Sequence, residues 1–455
     1  MQSTTDPSET ATPRRGRLLR VLGVGFGLAV IIGNTIGAGI LRSPGEVAAQ
    51  LPYAGLFIAA WAAGGLYAFL GAISIAELGT MIPRSGGQYV FAHRALGEYA
   101  GFVVGWSDWV STCGTSAAVS VVIGEYLGVL FPRLSDHAVA VALVTVLAFA
   151  ALQWRGIRWG SAAQNITSLF KALAFLALIA ACFILGGGAG VTETPAPPAA
   201  VSPVAAVLAL QAVIYTYDGW TGVIYFSEEV RDPARDIPRS MFGGVLSVIG
   251  IYLLVNLAFL YVLPISEMAG EKLAAGAAAR AIFGDRGDTI IRSLTILSLL
   301  SAVNACQLMA TRVLFAMSRD GLMSSRLVRV NEGGTPAPAL FASTLVAMLF
   351  IAGGAFEDSR RIFENIIAVL AFFFVANYAV SFTSLFVLRR REPDRERPYR
   401  AWGYPFTTGL ALAGSIAFLA GAVLSDTRNS LYALLLLAAS YPAFRLLKRK
   451  MNRQD

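Results

Sequence analysis

The sequence predicts an all-α polytopic membrane protein of twelve transmembrane helices, a five-plus-five inverted repeat with discontinuous helices 1 and 6. Three observations predict it. Hydrophobic residues make up 56% of the 455-residue chain and charged residues only 14%, against about 25% charged in ordinary proteins; the mean hydropathy is +0.63. Long apolar runs recur from Val21 onward, each sufficient to cross a bilayer. Two of these runs, nearly half a chain apart, are interrupted near their middles by residues that disfavour a continuous helix.

The runs, bounded by charge, Pro or Gly, fall at 21–48, 53–81, 98–130, 137–155, 160–187, 202–229, 240–263, 289–317, 338–356, 362–388, 403–425 and 429–447. Connections between them are short, which leaves no room for an inserted soluble domain. The expected organisation is a basic cytoplasmic segment at 1–20, a first five-helix repeat at 21–187, a linker at 188–201, an inverted second repeat at 202–389, and helices 11 and 12 with a cytoplasmic tail at 390–455. The N-terminal arginines resemble the charged start of a signal peptide. The apolar run behind them is too long and too interrupted by glycine for one, so the first span is expected to be retained. With the N-terminus inside, about 25 basic residues fall on the cytoplasmic face and about 9 on the other. That bias predicts cytoplasmic termini in a cell membrane and an even number of spans. The formal charge of +8 is spread through short loops, so it is read as a topology signal and no nucleic-acid partner is expected.

The repeat follows from the interruptions. Gly37 and the stretch Tyr217-Asp218-Gly219-Trp220 lie at nearly the same depth into units that begin near Val21 and Ser202. Each unit has five spans, so the second crosses the membrane in the opposite sense. Paired broken helices at corresponding positions point to a solute site at mid-membrane.

The first interruption, Ile31 to Ser43, reads IIGNTIGAGILRS. Closely spaced glycines weaken a helix by about 1 kcal/mol each relative to alanine. Unwound backbone at that depth must line a cavity or be covered by protein. A helix restarting near Ile40 presents free N–H groups from about Ala38, Gly39 and Ile40, beside Thr35 and Gly37. Those donors and the positive end of the helix dipole suit a carboxylate, the dipole contributing up to about 2 kcal/mol. The competing reading is tight helix packing through Gly33-xxx-Gly37.

At the second interruption, the carbonyls of Tyr215, Thr216 and Asp218, beside Gly219, lose helical partners and face the negative end of the upstream half-helix. They suit an ammonium group. A helix start opposite a helix end makes a site for a zwitterion, which is an α-amino acid. Tyr215 is bulky enough to act as a gate. Two roles are open to Asp218: binding a cationic side chain, or holding the unwound segment through local hydrogen bonds.

Lys171, in QNITSLFKALAF, is one of only four lysines among 36 basic residues, and the other three lie outside the spans. A charge at mid-membrane costs about 3 kcal/mol or more and is a functional candidate by default. Either it snorkels to an interface, or its ammonium takes the place of a coupling cation and ties span five to the first break and to span eight, with Ser298 and Ser301 as partners. Glu77 reads as a loop anchor, and Asp108 and Asn304 as hydrogen-bonding residues within the bundle. Arg312 either snorkels or pairs with a loop acid. Around Glu228 and Glu229, gate ion pairs compete with simple solvation.

Cys113, Cys182 and Cys306 fall inside apolar spans without ligand spacing, so core thiols are expected and neither a disulfide framework nor a metal site. With two histidines and no HExxH motif or Ser/His/Asp set, an enzyme is not expected, and neither is a cofactor.

These residues resemble the amino acid–polyamine–organocation superfamily of permeases, and most of all its L-amino acid transporter-like branch. Gly37-Ala38-Gly39 matches the family's break in helix 1. AELGTMIPRSGGQYVF (76–91), YTYDGWTGVIYFSEEVRDPARDIPRS (215–240), RVLFAMSRDGLM (312–323) and LRRREPDRERPYRAWGYP (388–405) match further signatures in family order. The resemblance implies alternating access to a zwitterion bound by backbone at the two breaks, Tyr215 as outer gate, and Lys171 in place of the sodium of sodium-coupled relatives. Where the family often has Ser in span eight, this chain has Ala302. The loop FPRLSDH lacks the cysteine that links animal relatives to a glycoprotein subunit, so no disulfide-linked heavy subunit is expected. The expected function is secondary active amino acid transport by exchange. The alternatives are proton-coupled symport, a polyamine or cationic amino acid permease, and, more remotely, a channel.

Overall fold

A computed structural model of the protein describes residues 17–188, 190, 201–354, 359–425 and 427–451. Most of the expected linker and of the basic N-terminal segment lies outside the described residues. Among those described there is no named β-strand, only an isolated parallel bridge between Leu22 and Val230. The helices are α1 (Val24–Thr35), α2 (Gly39–Gln50), α3 (Ala54–Met81), α4 (Gln88–Leu96), α5 (Glu98–Leu130), α6 (Ala138–Trp154), α7 (Ile157–Leu185), α8 (Pro203–Thr216), α9 (Pro233–Val262), α10 (Ile265–Met268), α11 (Ala274–Phe283), α12 (Arg286–Arg319), α13 (Ala337–Gly354), α14 (Ser359–Arg391), α15 (Phe406–Ser425) and α16 (Thr427–Met451).

Nine helices among the described residues are each long and apolar enough to cross a membrane, and α1 with α2, bent by 47° at their break, make a tenth span. α8 with the 3₁₀ turn Gly222–Phe226, and the 25-residue α16, complete the twelve. The seventh span starts earlier than its apolar run at 240. Asp232 caps α9 by accepting from the Arg235 N–H, and Pro233 occupies the first turn, where its missing N–H costs nothing. The short helices α4, α10 and α11 are not visible as apolar runs. α11 buries Ala274, Ala275, Ala278 and Ala279 and packs on α12 and α2.

The two repeats interleave. α3 packs on α9 and α5 on α12, so corresponding helices of the two halves lie against each other. Lipid gives helices no hydrophobic reason to associate, and close approach through small residues supplies the contact instead.

Two buried glutamates, Glu77 and Glu229, are paired with arginines. Glu77 is fully buried and accepts from Arg389 Nε and a second guanidinium nitrogen at 2.7 and 2.6 Å. It also accepts from the Ala401 N–H at 2.7 Å and lies 3.1 Å from Arg397 Nε. The loop after α14 is thereby anchored to α3. Arg312 does not snorkel. It is fully buried against Glu229 in a two-pronged pair at 2.9 and 3.0 Å. Glu228 pairs with Arg319 at 2.7 Å, so both glutamates bond to α12 rather than to the arginines of their own loop.

Removing one partner of a buried pair leaves an uncompensated charge, at a cost of about 3–5 kcal/mol. Glu77→Gln is therefore expected to lower the apparent Tm in detergent by several degrees, and a Tm equal to wild type would show that Glu77 is not an anchor.

Candidate functional site

The first break is held open by donors that reach the end of α1. The last turn of a helix leaves carbonyls without partners, and here side chains from three other helices supply them. Lys171 Nζ on α7 donates to the Gly33 and Ile36 carbonyls at 2.7 and 2.6 Å. Ser298 Oγ on α12 donates to the same Ile36 oxygen at 2.8 Å. Ser168 and Gln164 donate to Ala29, and Tyr252 Oη on α9 to Thr35 at 2.7 Å. A cation at this end also meets the negative pole of the helix dipole. Lys171 is completely buried, so snorkelling is excluded.

Beyond the break, α2 begins at Gly39 with no side-chain cap. The N–H groups of Ala38, Gly39 and Ile40 take no main-chain acceptor among the described residues. The two glycines of the small-residue pair have different roles. A Cβ on Gly33 would collide with Gln164 Nε2, so that glycine is a packing contact. A Cβ on Gly37 would meet only the Thr35 carbonyl, at 4.0 Å, so that position opens onto free space.

The second break follows Thr216. Gly219 has φ +109°, and a Cβ there would lie 2.8 Å from Asn34 and 3.0 Å from the Thr35 nitrogen. The two interruptions thus cross backbone to backbone, which only glycine permits. The expectation of free carbonyls at Tyr215 and Thr216 needs correcting. The Tyr215 oxygen accepts from the Asp218 N–H at 3.1 Å, and the Thr216 oxygen lies 3.0 Å from Tyr252 Oη, whose one proton it shares with the Thr35 carbonyl. Each keeps a second lone pair. The Asp218 carbonyl takes no main-chain donor among the described residues. The Asp218 side chain accepts from Tyr378 Oη on α14 at 2.5 Å.

A cavity of about 130 Å³ lies between the breaks. Of the expected site residues, Thr35, Gly37, Gly39, Tyr215, Thr216 and Asp218 line it. Ala38, Ile40 and Gly219 do not: Ile40 is fully buried, Ala38 packs against the cluster of Ile123, Leu299 and Val303, and Gly219 forms the crossing. Tyr215, 46% exposed, stands at the cavity's edge. The buried Thr35 hydroxyl has no hydrogen-bond partner. Asn34, Thr112, Thr115, Cys306, Met309 and Phe374 complete the lining.

Ser298 meets Lys171 only through the shared Ile36 carbonyl. Ser301 is bonded to Ser168 and Gln164, one turn away. Among the described residues no hydrogen bond joins either serine to Lys171, whose bonds go to Gly33 and Ile36. Sequence reasoning missed Tyr252, which bridges the two breaks, and Cys306, whose Sγ lies 3.6 Å from Asn34 Oδ1. Neither residue carries a signal in the sequence, since a tyrosine in an apolar run is ordinary and a core thiol and a cavity thiol look alike there.

Replacing Lys171 by Met leaves the buried Gly33 carbonyl short of a donor, at about 1–3 kcal/mol, and leaves Ile36 with Ser298 alone. Lys171→Met is expected to lower the apparent Tm in detergent measurably, and more than Ser301→Ala does. Equal stability of Lys171→Met and wild type would remove Lys171 as the cap of α1.

The sequence profile described as amino acid permease matches residues 27–440. The serine/threonine exchanger SteT of Bacillus subtilis is 29% identical over 443 residues, covering 95% of this chain and 98% of its own. The human b(0,+)-type amino acid transporter 1 is 28% identical over 406 residues, 86% of this chain and 80% of its own. The mouse Asc-type amino acid transporter 1 is 28% identical over 402 residues, 85% and 73% respectively. With its motifs in register and the profile spanning nearly all of its helices, the chain belongs to the amino acid permease family, in the superfamily and branch that its motifs resemble.

Proposed function

We propose that this protein exchanges α-amino acids across the cytoplasmic membrane by alternating access, with both termini in the cytoplasm. One observation carries the reading: the uncapped start of α2 and the interrupted end of α8 face a single small cavity at mid-bundle. The substrate carboxylate is bound at the start of α2 by the Gly39 N–H, the one of the three expected donor residues that lines the cavity, with Gly37 keeping the approach free of a side chain. The ammonium is bound by the Asp218 carbonyl, the spare lone pairs of Tyr215 and Thr216, and the Thr35 hydroxyl. Tyr215 closes over the bound zwitterion. The positive-inside distribution of arginine supports the orientation, and the burial of Cys113, Cys182 and Cys306 supports a carrier without a disulfide-linked subunit.

The same bonds favour exchange over net uptake. Closing the empty cavity leaves the Gly39 N–H unsatisfied, at about 1–3 kcal/mol. A bound carboxylate removes that cost, so the loaded carrier crosses about tenfold faster than the empty one. Lys171 occupies the junction with a covalently attached cation, so closure needs no ion from solution. The names of SteT and other relatives, which describe exchange or transport of amino acids, agree with this mode.

In proteoliposomes, uptake of a labelled amino acid is expected to be at least tenfold faster when the lumen holds unlabelled substrate than when it is empty. Equal rates in loaded and empty vesicles, with uptake driven by a pH gradient, would replace exchange by proton symport. Decarboxylated and N-acylated analogues are expected not to compete; competition by either would refute the backbone zwitterion site.

A further inference from the structure

Resting on that reading, we propose that the side-chain part of the cavity selects small uncharged side chains, those of alanine, serine, threonine and cysteine, with Phe374 and Met309 limiting size and Tyr378 suppressing recognition of cations.

Size comes first. The whole cavity is about 130 Å³, slightly less than the ~150 Å³ cavity that holds one benzene ring. The ammonium, α-carbon and carboxylate must lie in that space as well, which leaves room for about two or three side-chain heavy atoms. The wall facing away from the two breaks is built from Thr112 and Thr115 on α5, Cys306 and Met309 on α12, and Phe374 on α14. Met309 and Phe374 are the bulky members, so they set the limit. Thr115 brings a hydroxyl to that wall, while the Thr35 hydroxyl is committed to the ammonium. A wall hydroxyl suits a hydroxylated side chain and leaves an apolar one of the same size tolerated.

Charge comes second. Among the described residues the only carboxylate lining the cavity is Asp218, and it is already engaged. Tyr378 Oη donates to Oδ1 at 2.5 Å. Tyr378 is itself buried and stacked on Trp220 with ring centroids 4.9 Å apart, so the phenol is fixed in that position. The carboxylate therefore braces the second break. An anionic side chain meets Asp218 without a lining cation to offset it, and a cationic one finds its counter-charge held by the phenol.

The test is inhibition of labelled alanine exchange in proteoliposomes of the full-length protein. Serine, threonine and cysteine are expected to inhibit at least tenfold more strongly than leucine, phenylalanine, arginine or 2,4-diaminobutyrate, the last having a short cationic side chain. Phe374→Ala is expected to admit leucine and phenylalanine, and Met309→Ala is the second enlargement should Phe374→Ala not assemble. Tyr378→Phe is expected to admit 2,4-diaminobutyrate while leaving phenylalanine excluded. Inhibition of wild type by phenylalanine or arginine as strong as by serine would overturn the size limit. Strong inhibition of wild type by 2,4-diaminobutyrate, or none in a Tyr378→Phe variant that still exchanges alanine, would overturn the charge half. Unchanged selectivity in both enlarged variants would overturn the assignment of Phe374 and Met309. Absence of exchange with every amino acid would instead defeat the transport reading beneath the proposal.

Discussion

A helix cannot stop in the middle of a bilayer unless something takes over its last carbonyls, and the rest of this structure depends on how that requirement is met. Lys171 meets most of it, with bonds of 2.7 and 2.6 Å to Gly33 and Ile36. A neutral donor in its place satisfies hydrogen bonding but adds nothing against the partial negative charge at the end of α1, whereas an ammonium does both. The cost of burying that ammonium, several kcal/mol by itself, is offset only where aligned carbonyl dipoles converge on it. The break and the lysine therefore require each other. Ser298 and Tyr252 complete the set, so with Lys171 the end of α1 is capped from α7, α9 and α12 together, while Ser168 and Gln164 bond to Ala29 within the helix.

The two breaks solve the same problem differently. Among the described residues the end of α8 has no cation. Its carbonyls are taken by its own following turn and by Tyr252, and the chain then folds across the first break at Gly219. Asp218 adds a side-chain brace through Tyr378. What neither arrangement supplies is an acceptor for the start of α2. Side chains near it that carry an acceptor are turned elsewhere: Thr216 Oγ1 donates to the Ala212 carbonyl and is bonded to the Ser43 hydroxyl, and Cys306 reaches towards Asn34. In the proposed binding mode that helix start receives the substrate carboxylate.

Much of this was legible from residue order alone, for reasons that are physical. Span positions follow from hydropathy because hydrocarbon excludes polar side chains along a fixed length. The breaks follow from glycine spacing, and Lys171 stood out because a lone lysine at mid-membrane needs an explanation. Even the link from Lys171 to the first break followed from helix order. The serines proposed beside it could not be placed, since one turn of α12 separates Ser298, which shares its acceptor, from Ser301, which does not. Tyr252 was invisible because a tyrosine in an apolar run is ordinary, and its role comes from two carbonyls on other helices. The lining residues on α5, α12 and α14 were equally out of reach, since helices buried on every side have no polar face to report their rotation. Arg312 was left between snorkelling and pairing for the same reason: its partner Glu229 lies far upstream, beyond the second break, and no pattern in the chain specifies their distance.

The breaks also sort the site-forming segments into two pairs. α1 is tied to the stretch after the second break by the Leu22–Val230 bridge and by main-chain bonds to Glu229, and Glu229 is in turn locked to Arg312. α2 packs on α8 and is bonded to it through Ser43 and Thr216 at 2.8 Å. Lys171 and Tyr252 sit at the joint between these pairs, holding carbonyls on its near side while leaving the N–H groups on its far side free. In the proposed binding mode the carboxylate bonds to the start of α2, which belongs to one pair, and the ammonium to Asp218, at the joint with the other. A zwitterion of the right length therefore links the pairs by bonds that the empty cavity lacks. A molecule with only one of the two charges satisfies one side and leaves the other unpaired, which makes closure of the cavity depend on the complete amino acid rather than on either half of it.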